Sequence, residues 1–438
     1  MFRKHLSGLR SKKEKIYFLL ILIQSSLLLI FASCYSAQKF KESDFYSPAT
    51  LKDRRISFLN KTIEETILSN LRLPLSDSTE ENYKSAFWAM ELIQYTGTAV
   101  DSKIESCFIN LSNRSIEFQR SFLEIIYSLY KNRFIVEVNS FSEKTNNPKI
   151  FAMCVNYLKE SLINSNEKIN SFLDKYPEYR SHPIIIALLN DFSNIQPELP
   201  PLEDLFSFTA EDKIIIYSLQ RSNRDYPGLL VIKKPDGSFL RDDFSEIFTV
   251  PQLARAITDL PGYLTNGNTP EGILSIQGID FSKNIFIGPS PNLQLVLPHE
   301  VSPKKYFHSD KKDSLWSKDY YKEMLPQSWK NYSPIFEAYY AGMAGRNEII
   351  AHGTTIDPGF YSDETYFPFT PSLGCLTTKE IWSEASGKII ESDQLKLMNA
   401  LSELRLQDGY FFVVDIDDKP SPVTLNEIKH MLIKSERE

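Results

Sequence analysis

Apolar residues change their spacing near the middle of the chain. Across residues 56–195 they recur at intervals of three and four; Phe118, Phe122, Ile125, Ile126 and Leu129 form one stripe on a 3.6-residue turn. Breaks are expected near Leu73-Pro74, Thr96-Gly97, residues 111–114 and Asn146-Asn147-Pro148, where Pro, Gly and Asn interrupt the pattern. This spacing predicts an all-helical domain of packed hairpins. A solenoid-like stack is the further option, although no motif repeats at a fixed period. Residues 196–206 form the expected linker, because Pro197, Pro200 and Pro201 stop a helix and favour extended chain.

Beyond the linker the runs become short and β-branched or aliphatic. Residues 214–217, 229–232, 273–276, 285–287 and 293–297 read as strands, with Pro235-Asp236-Gly237 as a turn. Helical insertions are expected over residues 250–258 and 316–340, the second rich in Tyr and Trp. The expected fold class is therefore α+β: an N-terminal helical domain, then a mainly β domain over residues 207–438.

The first residues follow another pattern. Residues 1–15 carry six Lys or Arg against one acid, and residues 16–32 are nearly all apolar. That is an export signal, rather short for a spanning helix. It ends at Phe31-Ala32-Ser33-Cys34, which resembles a bacterial lipoprotein signal with Cys34 as the lipidated residue; an uncleaved membrane anchor and ordinary signal cleavage are the other readings. Residues 35–55 are polar and read as a tether holding the folded body off a membrane.

With 438 residues, 42% hydrophobic and 24% charged, the chain has enough apolar material for two folded domains. A net charge of −7 argues against nucleic-acid partners. Of the four cysteines, Cys107 and Cys154 sit among apolar neighbours at helical spacing and read as core thiols, a disulfide between them being left open. No metal-ligand spacing emerges and no cofactor is implied.

Cys375 has a different setting. It closes Ser372-Leu373-Gly374-Cys375, 23 positions after His352 in His352-Gly353-Thr354. Residues 348–351 read as a short strand delivering His352 at its end. Thr377 and Glu380 form a capping-box pattern, so a helix is expected just after Cys375. A helix start and an imidazole would both favour the thiolate, the attacking form of cysteine. The amides of Gly374 and Cys375 would serve as oxyanion donors. His352 is the candidate base, one ring nitrogen taking the thiol proton and the other fixed by a carbonyl such as that of Gly353. Ser372 is read as shaping the loop, and Thr354 either as orienting the site or as closing a turn. His299 and His308 are rival bases or substrate contacts, though each reads more simply as a surface imidazole. For residues 332–340 a core helix is preferred over a cleft lining, and for Asp357, Asp363 and Glu364 a solvated loop over a contact with an amine.

These residues resemble the L,D-transpeptidase (YkuD-like) catalytic-domain family of bacterial cell-wall enzymes, whose signature joins a His-Gly-Thr strand end to a Ser-x-Gly-Cys loop. Thr269-Pro270-Glu271-Gly272-Ile273 and residues 409–414 resemble two further family segments. The resemblance spans residues 207–418. It departs at Leu373, where histidine is frequent, at Thr377, where Arg or Asn is frequent, and in an enlarged loop over residues 357–369. Together with the export signal it implies a membrane-anchored enzyme facing the periplasm, and by itself peptidoglycan stem peptides as substrate. Cys375 would form a thioester that is resolved by an amine, giving a crosslink or protein attachment, or by water, giving L,D-carboxypeptidase activity. The alternative is a non-catalytic peptidoglycan-binding lipoprotein scaffold whose helical domain binds a protein partner.

Overall fold

A computed structural model describes residues 39–193, 197–310, 315–405 and 408–437. The export signal, Cys34 and the first residues of the expected tether lie outside the described residues.

The helical half begins at Lys52–Lys61 and ends at Pro183–Asp191. Its helices stop where Pro, Gly and Asn were expected to stop them. Ser115 caps Ile116–Leu129 by accepting from the Phe118 amide, and Asn147 caps Pro148–Tyr157 by accepting from Lys149 and Ile150. The predicted stripe is buried at Phe118, Phe122, Ile125 and Ile126. Cys107 and Cys154 are free thiols inside this core.

Among the described residues ten strands follow: β1 (Ile214–Arg221), β2 (Gly228–Lys233), β3 (Thr249–Gln252), β4 (Gly272–Phe281), β5 (Pro291–Val296), β6 (Ile350–His352), β7 (Leu376–Thr377), β8 (Glu380–Trp382), β9 (Ile389–Ser392) and β10 (Gly409–Asp417). Eight form one mixed sheet in the order β3-β2-β1-β10-β4-β5-β6-β7, with β1–β10 and β6–β7 parallel; β8 and β9 pair separately. The molecule is α+β, as the change of spacing predicts. Period-two alternation decides what each side chain meets. Ile214, Ile216, Leu230, Ile232, Phe411 and Val413 join one apolar cluster with the helical half and with Asp393–Leu404. Ile215, Tyr217, Leu229, Val231, Tyr410 and Phe412 join another with Leu202–Ser207, Tyr321, Trp329 and the C-terminal helix Leu425–Ser435. A sheet covered on both faces explains strands without polar alternation.

Several local expectations are corrected. The tether is docked from its described start: Phe40 and Phe45 are buried, Asn399 exchanges hydrogen bonds with the Phe40 backbone at 2.7 and 2.9 Å, and the Ser47 amide donates to Gly387. Backbone pairing of this kind leaves no apolar period to read. Residues 250–258 are not helical, because β3 pairs with β2 and Pro251, lacking an N–H, is tolerated at the sheet edge. Residues 285–287 form a turn rather than a strand. The helix Leu202–Ser207 takes up the second half of the expected linker and runs one residue past it. The run 316–340 is several short helices and turns rather than one helix, with Tyr321, Trp329, Ile335, Phe336 and Tyr339 buried as core. Among the described residues no helix is long and apolar enough to cross a membrane.

Candidate active site

Strand pairing brings the two halves of the motif together. Ala351 lies opposite Leu376 and His352 opposite Thr377, so Cys375 immediately precedes the strand that runs beside His352. Parallel strands about 4.8 Å apart, with about 3.3 Å rise per residue, put the two Cα atoms about 8 Å apart on the diagonal. Side chains of this length span such a gap. The expected strand at residues 348–351 is shorter, starting at Ile350. Glu348 sits in the left-handed region at φ 62 and its amide donates to Glu300, which takes it out of the ladder.

His352 is 5% exposed. Its Nδ1 lies in hydrogen-bond contact with the Gly353 carbonyl; a carbonyl only accepts, so Nδ1 carries the proton and Nε2 the lone pair. Burial holds the imidazole down to about 4, partly offset by the Gly353 contact. At neutral pH it is an uncharged base.

Cys375 is partly exposed, and its Sγ–H donates to the Glu348 carbonyl at 3.6 Å. Burial of the sulfur raises the thiol above its ordinary 9.0; the Ile350 amide and the Arg346 guanidinium oppose this, and Glu348 adds to it. The resting pair is thus a neutral thiol and a neutral imidazole, not hydrogen-bonded to each other. This corrects the expected thiolate primed by a helix start.

No helix starts after Cys375. Thr377 is held on both sides: it pairs with His352 across β6, and its backbone exchanges hydrogen bonds with Leu253 at 2.8 and 2.9 Å. The Thr377 hydroxyl donates to Thr370 rather than capping a helix. Glu380, the other half of the capping pattern, is buried and accepts from the Thr354 amide at 3.0 Å and from Ser392 at 2.8 Å. Its carboxyl is pushed up to about 7 by burial. A Cβ on Gly353 would run into that carboxyl, which is why glycine follows His352. The helix begins later, at Asp393, capped by Ser392.

Ser372 shapes the loop as expected, donating to the Cys375 carbonyl at 2.8 Å and accepting from the Gly374 amide at 3.1 Å. That second bond occupies the Gly374 N–H, which corrects its expected part as an oxyanion donor. Thr354 is a junction: Thr370 donates to its hydroxyl, Ile356 likewise, and Trp382 donates to its carbonyl. Thr269 donates to the Gly374 carbonyl at 3.0 Å, tying the Thr-Pro segment to the cysteine loop. Leu373 is 44% exposed at the loop's tip.

Arg346 is the contributor that motif reading misses. Buried, it donates to the carbonyls of Gly262, Asn268 at 2.8 Å and Gly267 at 2.6 Å, and reaches Gly374 at 3.5 Å. Burial lowers it to about 10, so it stays charged at pH 7. Gly374 is at φ 108, and a Cβ there would strike the guanidinium. Arg346 supplies the positive charge that was expected from a helix start. Its only sequence signal is a lone arginine between an apolar helix and a strand.

The other candidates lie elsewhere. His299 stacks on Trp316 and packs against Tyr339, and His308 bonds to Ser275 at 2.8 Å; neither bonds to Cys375 or His352. The loop over residues 357–369 docks on the helical half: Asp357 pairs with Arg55 at 3.5 Å, and the buried Tyr361 donates to the Leu92 carbonyl at 2.9 Å. In comparison with known proteins, no family model, no curated protein and no solved structure matches this chain.

Proposed function

We propose that the chain is a peptidoglycan L,D-transpeptidase in which Cys375 is the nucleophile and His352 the general base. The observation that carries this reading is the parallel pairing of β6 with β7, which sets a buried neutral imidazole, with its Nε2 lone pair available, beside a partly exposed thiol.

The neutral resting pair implies proton transfer coupled to attack. Sγ turns from the Glu348 carbonyl toward His352 and gives its proton to Nε2. The S–C bond forms at the carbonyl carbon of an L-centre residue in a stem peptide, and its oxygen takes the negative charge, met by the Cys375 amide. Collapse breaks the C–N bond to the terminal D-amino acid, whose amine takes the proton from the imidazolium. The thioester keeps the acyl energy, so an amine from a second stem or a protein lysine resolves it without a nucleotide. Water in that role gives the carboxypeptidase product. A membrane-anchored, periplasm-facing location, with Cys34 lipidated, fits this substrate.

The raised thiol supports a second reading, a peptidoglycan-binding lipoprotein scaffold without turnover. Incubation with muropeptides followed by mass spectrometry separates the two. The enzyme removes a terminal D-amino acid or makes a new crosslink, and Cys375→Ala abolishes both. Binding with no product in the parent protein supports the scaffold.

A further inference from the structure

The segment expected to be a tether is docked on the folded body from Phe40 onward, which leaves little free chain between that body and the apolar run of residues 16–32. Cys34 and Lys39 are five residues apart. Fully extended, that stretch spans at most about 18 Å. We infer that the face from which Lys39 leaves the body rests on the lipid surface of the membrane holding the N-terminal segment, with Phe281, Ile285, Tyr46 and Ile390 as its apolar contacts. This depends on the membrane-anchored location and not on turnover at Cys375.

Ring contacts and backbone pairing join these side chains around the docked segment. Phe281, at the end of β4, meets Phe40 with ring centroids 6.2 Å apart, and Phe40 meets Phe45 at 6.3 Å. Tyr46 follows Phe45 and bridges to Lys388, just ahead of Ile390 on β9. Ile285, in the turn after β4, lines a small cavity together with Ala49 of the same segment. Phe40 and Phe45 are buried beneath, and the outer layer is open: Phe281 is 51% exposed, Tyr46 52%, Ile285 60% and Ile390 63%. Single exposed apolar side chains need no explanation, but four gathered where one segment leaves the body do.

The short leash decides what covers them. A bilayer bound to the N-terminal segment is always within reach, whereas a second copy of the chain has to arrive by diffusion. Charges around the segment balance, with Lys39, Lys41 and Lys388 against Glu42, Asp44 and Glu391, all exposed. Headgroup charge therefore neither draws nor repels this face, and the apolar side chains supply the contact. Tyrosine suits that boundary, because its ring is apolar and its hydroxyl is wet.

The protein with its own N-terminal segment, reconstituted into phosphatidylcholine vesicles, tests this by flotation and tryptophan fluorescence. Flotation reads the anchoring alone. Phe281→Trp, Ile390→Trp and Tyr46→Trp alter exposed side chains, and each is read against the parent, whose four tryptophans set the baseline. With lipid brominated near the headgroup end of its acyl chains, the added fluorescence should fall by about half or more, and aqueous acrylamide should lose access to it. Leu162→Trp and Val136→Trp, exposed on the helical half, should stay open to acrylamide and unaffected by bromine. Protein that floats while the three face positions respond like Leu162→Trp overturns the lipid contact and leaves the anchoring standing. Shielding from bromine and acrylamide alike gives the face to a second copy and overturns the contact too. Protein that fails to float overturns the anchored location and the contact with it.

Discussion

Alkylation of Cys375 across a pH series reads the state of the resting thiol. Burial lifts the group above 9.0, so at pH 7 no more than about 1 in 100 molecules carries the thiolate. The imidazole that would stabilise a thiolate is itself neutral above about 4. The rate with iodoacetamide, read by mass spectrometry at Cys375, should rise about tenfold per pH unit from 6 to 9, about a hundredfold between pH 6 and 8. Cys107 and Cys154 are buried and serve as internal controls that stay unmodified in the folded chain. His352→Asn should leave the slope unchanged, because an uncharged ring contributes no field. A rate that is flat from pH 5 to 8 would mean a preformed thiolate–imidazolium pair and would refute the reasoning.

Other consequences are independent of that profile. His352→Asn should lower acyl transfer by roughly 10²–10⁴ while muropeptide binding is kept, measured as product formation beside a binding titration. Gly353→Ala drives a methyl into the Glu380 carboxyl and should cost about 1–3 kcal/mol in urea unfolding. Arg346→Met strands the carbonyls of Gly262, Gly267 and Asn268 and should cost about 3–5 kcal/mol, seen as a lowered urea midpoint. Two groups give opposite pH dependences. His352 is held at about 4 against 6.5 when free, so the unfolded chain binds the extra proton and about 3 kcal/mol is lost as pH falls from 6.5 to 4. Glu380, at about 7 against 4.5, loses a similar ~3 kcal/mol as pH rises from 4.5 to 7. Urea midpoints of His352→Gln and Glu380→Gln across that range should each remove one of these slopes.

What was legible in the chain was what repeats or what has a local signature. The Phe118–Phe122 stripe follows from helical periodicity and β1, β2, β4 and β5 from short apolar runs, because burial imposes both, whereas β10 is read only from the family resemblance. Cys375 and His352 were singled out by the residues around them, and Ser372 was read correctly as a loop brace. The misreadings share one cause: a local pattern met a partner from far along the chain. Thr377 and Glu380 are spaced as a cap, yet Leu253 and Ser392 take their hydrogen bonds. The tether lacks an apolar period because its backbone, at Phe40 and Ser47, bonds to Asn399 and Gly387. Arg346 acts through carbonyls contributed by residues 262–268 and by Gly374, a relation no spacing rule encodes.

The central claim is that Cys375 carries the acyl group. Brief incubation with a defined stem tetrapeptide, acid quench and intact-mass analysis should give an adduct equal to the peptide less its terminal D-amino acid, on Cys375, labile to hydroxylamine and absent from Cys375→Ala. An alanine variant that still makes the released or crosslinked product at the parent's rate would contradict the account.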